Sequence, residues 1–474
     1  MTHDDWKDKA LQIREALKGR PMEKRRSFFL SLPEDVRRKL LTSPYILGRD
    51  KQVEALTSDA DTILILAGRG WGKGFTAAHW LLDRIESGHT ATGVVAQRAA
   101  DVRDDIVEPA EENAGIVEFA EKRELKPDYK RSESRVEIKA PHGTARIQTY
   151  SGDKPNQLRG FSGSAAWIDE LAKMRYADEV WDQINLTLRE GSGIGGSQLI
   201  ITTTPRPLPV IQDLVDDPDV HVIRGSSWEN EENLDGRMIR HLNKLEGTDL
   251  GRQEIDAEVL EQSGELWTRD DIGRRSLPPE MEFDRIVVGL DPSVSKSEGD
   301  EAGIVVVGKS GGTGYVLEDL SGQYTPREWA ALTVAAYQGD IENARPWLDH
   351  PYSGDVKEAL NSPYPWRPAD TIKAERNQGG GLVENQLNTF GSQAAINSTH
   401  TIQNKSARAE PIHTLYQIGD IVHVGQFPEL EDQMTAFLQD EDSPDRVDAL
   451  VYACSELFDV SDSPRDAFDT ILSM

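Results

Sequence analysis

Thr62-Ile63-Leu64-Ile65-Leu66-Ala67 is an apolar run of buried-strand length that breaks abruptly into Gly68-Arg69-Gly70-Trp71-Gly72-Lys73-Gly74-Phe75-Thr76. Ala77, Ala78, Leu81, Leu82 and Ile85 then recur at helical spacing as far as Gly88, so the order is strand, glycine turn, helix. This succession constrains the chain more than any other stretch. It specifies an α/β unit in which the N–H groups of the turn and the N-terminus of the helix face an anion together. Gly68 to Gly74 is therefore the candidate phosphate cradle, with Lys73 expected on the β and γ phosphates of a nucleotide. Two positions depart from the usual pattern: Ala67 replaces its first glycine, and Gly74 replaces the hydroxyl residue that follows the lysine and ligates Mg²⁺.

A second segment belongs with the first. Ala165-Ala166-Trp167-Ile168 runs into Asp169-Glu170, so an apolar strand delivers two carboxylates at its C-terminal end, where open α/β sheets place ligands. Asp169 is expected to hold Mg²⁺, through water if Gly74 supplies no hydroxyl, and Glu170 to polarise the attacking water.

The second half of the chain carries three further carboxylates on separate elements. Arg285-Ile286-Val287-Val288-Gly289-Leu290 ends in Asp291, and two more β-rich runs follow at Ala302–Val307 and Gly314–Asp319. Three consecutive strands opening a domain fit a ribonuclease H-like sheet, in which carboxylates leave the first strand, a later strand and a C-terminal helix. Asp291, Glu375 at the end of Thr371-Ile372-Lys373-Ala374, and Asp448 in a helical stretch around Val447, Leu450 and Val451 match those places. Converging carboxylates repel unless cations neutralise them, so the set implies two Mg²⁺ or Mn²⁺ ions about 3.5–4 Å apart. Asp300 is an auxiliary metal-ligand candidate and Asp445 a weaker one, while Asp319 is either a supporting group or a plain strand-end residue.

Taken in order, Gln52, the glycine turn, Val95-Ala96-Gln97-Arg98-Ala99-Ala100-Asp101-Val102-Arg103-Asp104, Leu158-Arg159-Gly160, Trp167-Ile168-Asp169-Glu170-Leu171, Thr202-Thr203-Thr204-Pro205-Arg206-Pro207 and Leu250-Gly251-Arg252-Gln253-Glu254 resemble the motifs of large terminase subunits of tailed double-stranded DNA viruses. The resemblance covers nearly the whole chain from about residue 45, and in the second half Lys405, Arg408 and His423 resemble the family's segment flanking the nuclease site, which implies phosphate contact for the two cations, while His423 reads equally as an ordinary strand residue. It implies that Gln52 reads adenine, that Thr203 couples hydrolysis to movement, and that Arg69 or Arg159 stabilises transition-state charge, Arg159 in trans from a neighbour. It also implies ATP as the nucleotide, and as partners double-stranded DNA, a portal protein, a small terminase subunit and further copies of the chain in a ring on the procapsid.

At 474 residues the chain is long enough for two domains with separate cores. The expected division is a helical preface over 1–45, a P-loop ATPase domain with a parallel sheet over 46–262, a linker over 263–283 and a ribonuclease H-like nuclease domain over 284–474. In the preface Trp6, Ala10, Ile13 and Leu17 make one apolar stripe, and Ser31 with Glu34 makes a capping box. Residues 338–368, with five prolines, read as an insertion of unassigned role. The single cysteine, Cys454, excludes an internal disulfide and fits a reducing cytoplasm. No run approaches membrane-spanning length and no signal peptide opens the chain, so the host-cell cytoplasm is the expected location.

Charge runs against this reading. DNA-handling enzymes are expected to be basic, yet this chain has 82 acidic against 53 basic residues and a formal charge of -29. At molar salt the Debye length falls to about 3 Å and the repulsion of DNA is screened, and carboxylate-rich, lysine-poor surfaces stay hydrated in brine. A virus of a salt-loving host is the expectation; a local basic channel or a basic partner is the alternative. The reading as a whole is an ATP-driven motor that packages duplex DNA and cuts concatemers. Two others compete: a nuclease-helicase of repair or restriction, and a nuclease whose ATPase domain has decayed into a structural module.

Overall fold

A computed structural model describes residues 3–109, 115–189, 196–206, 208–260, 266–278, 280–292, 301–347, 366–375, 381–391, 394–399, 405–437 and 445–460. It forms two compact units, Met1–Ile239 with Gly251–Glu261 and Arg240–Leu250 with Gln262–Met474.

The first unit is built on eight strands: β1 (Thr62–Ala67), β2 (Ala91–Ala96), β3 (Lys126–Lys130), β4 (Arg135–Ala140), β5 (Gly143–Ser151), β6 (Ala165–Asp169), β7 (Gln198–Thr203) and β8 (Val220–Gly225). Their order is β3-β4-β5-β2-β6-β7-β1-β8. The six strands from β5 to β8 run parallel, while β3, β4 and β5 form an antiparallel edge. The central strands are apolar along their whole length because both faces are covered: Ile63 and Ile65 enter one core with Trp80 and Leu81, and Leu64 and Leu66 enter a second with Ile168 and Ile184. Strand β7 lies between β1 and β6, so the two site-bearing strand ends are separated by one strand only.

Five short helices precede the sheet: α1 (His3–Leu17), α2 (Met22–Leu30), α3 (Glu34–Leu41), α4 (Pro44–Leu47) and α5 (Asp50–Thr57). The α1 stripe packs as expected, with Ala10 buried in the core and Trp6 and Ile13 against it. The capping box does not form. Ser31 closes α2 instead, its hydroxyl donating to Phe28 O at 2.7 Å, and α3 starts after Pro33. A proline excludes the residue before it from helical geometry, so Glu34 is the first residue of α3 and not the third. Helix α6 (Lys73–Glu86) carries the anchor for this preface. Buried Asp83 accepts from Tyr45 Oη at 2.6 Å and pairs with Arg123 at 2.6 Å, and His3 lies 3.3 Å from Glu86.

The second unit holds β9 (Arg285–Asp291), β10 (Gly303–Ser310), β11 (Thr313–Asp319), β12 (Thr371–Glu375), β13 (Ile396–Thr399) and β14 (Ile421–His423), in the order β13-β12-β9-β10-β11-β14. β9, β10 and β11 are an antiparallel meander, β12 and β13 run parallel to β9, and β14 runs parallel to β11. The helix Asp445–Leu457 crosses β9 and β10 so closely that only glycine fits beneath it. A Cβ on Gly289 would lie 2.0 Å from Ala449 O, and one on Gly303 would lie 1.9 Å from Asp445 O. No helix of the described residues is long and apolar enough to cross a membrane.

Candidate functional site

The glycine turn between β1 and α6 takes its shape from packing on both sides. A Cβ on Gly68 would come within 2.3 Å of Ile255 O and 2.4 Å of Ser227 Oγ, and Arg69 N donates to Glu254 O at 2.7 Å. Gly70 and Gly72 have φ of 76° and 92°, the left-handed region that glycine enters without penalty. The Trp71 ring is buried beneath the turn on Gly225, with its indole N–H donating to Glu229 at 2.9 Å. Arg49 stacks on that ring at 5.1 Å and donates to Trp71 O.

Lys73, the first residue of α6, is nearly buried, and its ammonium donates to Ala67 O at 2.7 Å and lies 3.4 Å from Glu170 Oε1. Gly74 is exposed, and a Cβ built there meets nothing within 4 Å. Thr76 is fully buried and faces elsewhere: its hydroxyl donates to Gly72 O at 2.9 Å and accepts from Gln52 Nε2 at 3.1 Å. Gln52 is thus brought to the back of the turn, where it ties α5 to α6.

Asp169 and Glu170 leave β6 one strand away. The backbone of Glu170 is in the left-handed region, φ 54°, a strained state for a non-glycine residue that persists only where its surroundings hold it. Three contacts do so: Glu170 N donates to Thr202 O at 2.6 Å, and Thr204 donates to the carboxylate through its backbone N–H at 3.2 Å and its hydroxyl at 3.1 Å. Lys173 adds an ion pair at 3.3 Å. Asp169 accepts from Thr202 Oγ1 at 2.7 Å. Thr203 turns the other way and bonds Ala172 N and Thr204 O. Burial and the neighbouring Glu170 charge push the Asp169 carboxyl up. For Glu170 burial acts upward too, but Lys73, Lys173 and the Thr204 N–H outweigh it and hold the carboxyl well below the usual carboxylate range. The structure therefore brings Lys73, Asp169 and Glu170 together with Thr202, Thr204 and Lys173, which the sequence reading did not single out. The only signal for Thr202 and Thr204 was membership in a motif already noted, and Lys173 lay outside every such motif. Arg159 stands exposed on the 3-10 turn Pro155–Gly160, and Arg69 is half-buried.

In the second unit Asp291 ends β9 two residues beyond Gly289, so it projects from the same strand face, toward the helix Asp445–Leu457. Its register partner on β10 is Gly303, the residue that Asp445 crosses. Asp448, one turn further along that helix, is buried and pairs with Lys405 Nζ at 2.6 Å and Arg408 at 3.6 Å. Arg408 also donates to Tyr452 Oη at 2.6 Å. Glu375 ends β12, directly after the Ala374 that pairs with Leu290, so its backbone lies beside that of Asp291. Asp319 pairs with buried Arg446 at 2.8 Å and accepts from Ser321 N. His423 is buried between Tyr416 Oη at 2.9 Å and Glu431 at 3.2 Å, a structural network that ties its strand to the helices Lys405–Gln417 and Pro428–Ala436. Asp300, and residues 348–365 of the expected insertion, lie outside the described residues.

A parallel sheet with a phosphate turn and an Asp-Glu strand end, followed by a second sheet with Asp291 at the end of its first strand and Asp448 on the helix that covers it, defines a two-domain ATPase and nuclease. The comparisons with known proteins agree. The family described as terminase large subunit, T4likevirus-type, N-terminal matches residues 64–274, and the terminase RNaseH-like domain matches 288–457. No curated protein matches. A large terminase from a thermophilic bacteriophage has the same fold: at 12% identity it covers 86% of this chain and 98% of its own, with a TM-score of 0.57. Its complexes with ADP and with ATP-gamma-S align over the same shares at 12% identity, with TM-scores of 0.55 and 0.53. The chain belongs to the large terminase subunits, the ATPase and nuclease of viral genome packaging.

Proposed function

We propose that residues 46–262 are the ATP-hydrolysing motor and residues 284–474 the metal-dependent nuclease, with 1–45 a preface and 263–283 a linker. The observation that carries the motor reading is the Lys73–Glu170 pair, which joins the phosphate turn to the Asp-Glu strand end. The cradle suits a nucleotide: Gly70 and Gly72 take the left-handed backbone that brings the turn to the start of α6, and Gly74 leaves open space where phosphate oxygens and a hydrated Mg²⁺ need room. In this reading Lys73 turns from Glu170 to the β and γ phosphates. Glu170, anionic and aimed by Thr204 and Lys173, accepts a hydrogen bond from the attacking water and orients it. Asp169, steadied by Thr202, takes the metal's coordination sphere. Gln52 supports the turn from behind, Trp71 anchors it, Thr203 links the strand end to the 171–173 turn, and Arg69 or Arg159 supplies transition-state charge.

At the nuclease site Asp291, Glu375 and Asp448, with Asp300 as auxiliary, are the proposed ligands of two Mg²⁺ or Mn²⁺ ions, which when bound activate water and steady the leaving oxygen of a DNA phosphodiester. Asp448 is a buried carboxylate whose present partners are Lys405 and Arg408, and a metal bound there would replace them as the neutralising charge. The proposed partners are duplex DNA, a portal protein, a small terminase subunit and further copies of this chain in a ring on the procapsid, in the cytoplasm of an infected cell. The acidic composition supports a salt-loving host. A structure with a non-hydrolysable ATP analogue and Mn²⁺ tests the whole: density at Lys73 and Asp169 and at Asp291 and Asp448 is expected, and density at neither pair would overturn these residue assignments. A strand-separation assay separates packaging from helicase action, since a packaging motor leaves the duplex paired.

A further inference from the structure

The segment from Lys18 to Leu47 differs from the rest of the chain in charge and in packing. Between Lys18 and Lys39 there are eight basic residues against three acidic, while the remaining residues carry 79 acidic against 45 basic. Arg38 and Lys39 pair with Glu124 and Lys18 with Asp50. Arg20, Lys24, Arg25, Arg26 and Arg37 have no carboxylate within ion-pair distance among the described residues, despite the excess of acids. The same segment is apolar on its outside. Of the seven large hydrophobic side chains exposed among the described residues, four lie here: Met22 (75%), Leu30 (61%), Leu41 (44%) and Leu47 (56%). Helix α2 contains no buried residue at all, although nine residues are too few for a helix to persist in water on its own propensity.

Cations alone would suit a phosphate backbone, but Met22 and Leu30 gain nothing from phosphate. Apolar side chains ringed by charge are the composition of a protein interface, and its partner must be acidic. The rest of the chain is acidic, with 79 acidic against 45 basic residues, so a second copy meets that need. We propose that α2 and α3 form a self-association surface that docks on an acidic face of a second copy of this chain. Two copies of one cationic patch repel each other, so the patch does not face itself across a two-fold axis but meets a different, acidic surface, as a head-to-tail contact in a ring or filament does. This inference rests on the proposal above that the chain assembles with itself, and adds which surface does so.

The test uses the full chain at a KCl concentration where circular dichroism shows it folded. An equal mixture of ¹⁴N and ¹⁵N protein, treated with a zero-length carbodiimide, is expected to yield mixed-isotope crosslinks from Lys18, Lys24 or Lys39 to an Asp or Glu of another copy. Light scattering after gel filtration is expected to show that Arg25→Glu with Arg26→Glu raises the dissociation constant at least tenfold, and Met22→Ser with Leu30→Ser several-fold, with melting temperatures near that of the wild type. Wild-type crosslinks that avoid these lysines, or association unchanged in both folded variants, would overturn the surface and leave assembly standing. A wild type that is monomeric at every concentration would overturn assembly itself. Loss of duplex DNA retention with unchanged association would reassign the surface to DNA.

Discussion

Thr204 holds the Glu170 carboxylate twice, by its backbone N–H at 3.2 Å and by its hydroxyl at 3.1 Å. Removing the carboxylate and removing its aim should therefore differ. Glu170→Ala is expected to bind nucleotide normally and to lose hydrolysis by orders of magnitude, because the phosphate cradle stays intact. Thr204→Val keeps the N–H contact and should lose about tenfold in kcat, in line with one hydrogen bond to a charged group. Equal turnover in wild type and Glu170→Ala would move the water-orienting group elsewhere.

Gly74 and Thr76 make opposite forecasts. A side chain at 74 meets open space, so Gly74→Thr should supply the missing hydroxyl without strain and lower the Mg²⁺ concentration needed for half-maximal hydrolysis. Thr76 is committed to Gly72 and Gln52, so Thr76→Ala should cost about 1 kcal/mol of stability and leave the Mg²⁺ dependence unchanged. A shifted Mg²⁺ requirement in Thr76→Ala would show that this hydroxyl reaches the metal.

Asp169 is raised to about 7 by burial and by the Glu170 charge beside it. Its folded-state value lies above its unfolded one, so in the metal-free protein this group favours the native state at low pH, and that contribution fades as pH rises toward 7. Metal binding needs the ionised form. Affinity for Mg²⁺-nucleotide should therefore climb between pH 6 and 8 with release of a proton. Calorimetry in two buffers of different ionisation enthalpy measures that proton. Asp169→Asn should abolish the release, and an unchanged release in this variant would assign the proton to another group.

Asp291→Ala should abolish metal-dependent cutting of plasmid DNA and leave ATP hydrolysis nearly intact, because Asp291 and Lys73 belong to separate compact units. Parallel loss of both activities, with a lowered melting temperature, would point to misfolding and not to a lost ligand.

With a net charge of -29, folding and DNA cleavage should both improve as KCl rises from about 0.1 M toward molar levels, since screening relieves self-repulsion within a Debye length. Ordinary DNA-binding proteins lose affinity over that range. A thermal melt series and a cleavage titration against KCl separate the two signs, and an optimum near 0.1 M would refute the salt-loving host while leaving the family assignment untouched.

The α/β class, the strand–turn–helix around Lys73 and the placement of Asp169 and Asp291 at strand ends were legible in the sequence, because each depends on neighbours within a few residues: an apolar run, glycines where φ turns positive, a helical period. Ser31 with Glu34 misled at the same range, since Pro33 between them decided where α3 begins. What could not be read locally was the order of strands. By entering between β1 and β6, β7 carries Thr202 and Thr204 to carboxylates 33 and 34 positions away in sequence. The approach of Lys405 to Asp448 across 43 residues and the passage of Asp445 over Gly303 are of the same kind. Sequence alone determined which groups the chain owns and which element each one ends. Only the tertiary structure decided which charges face one another, because sheet order and helix crossing are set by the simultaneous burial of many distant apolar side chains.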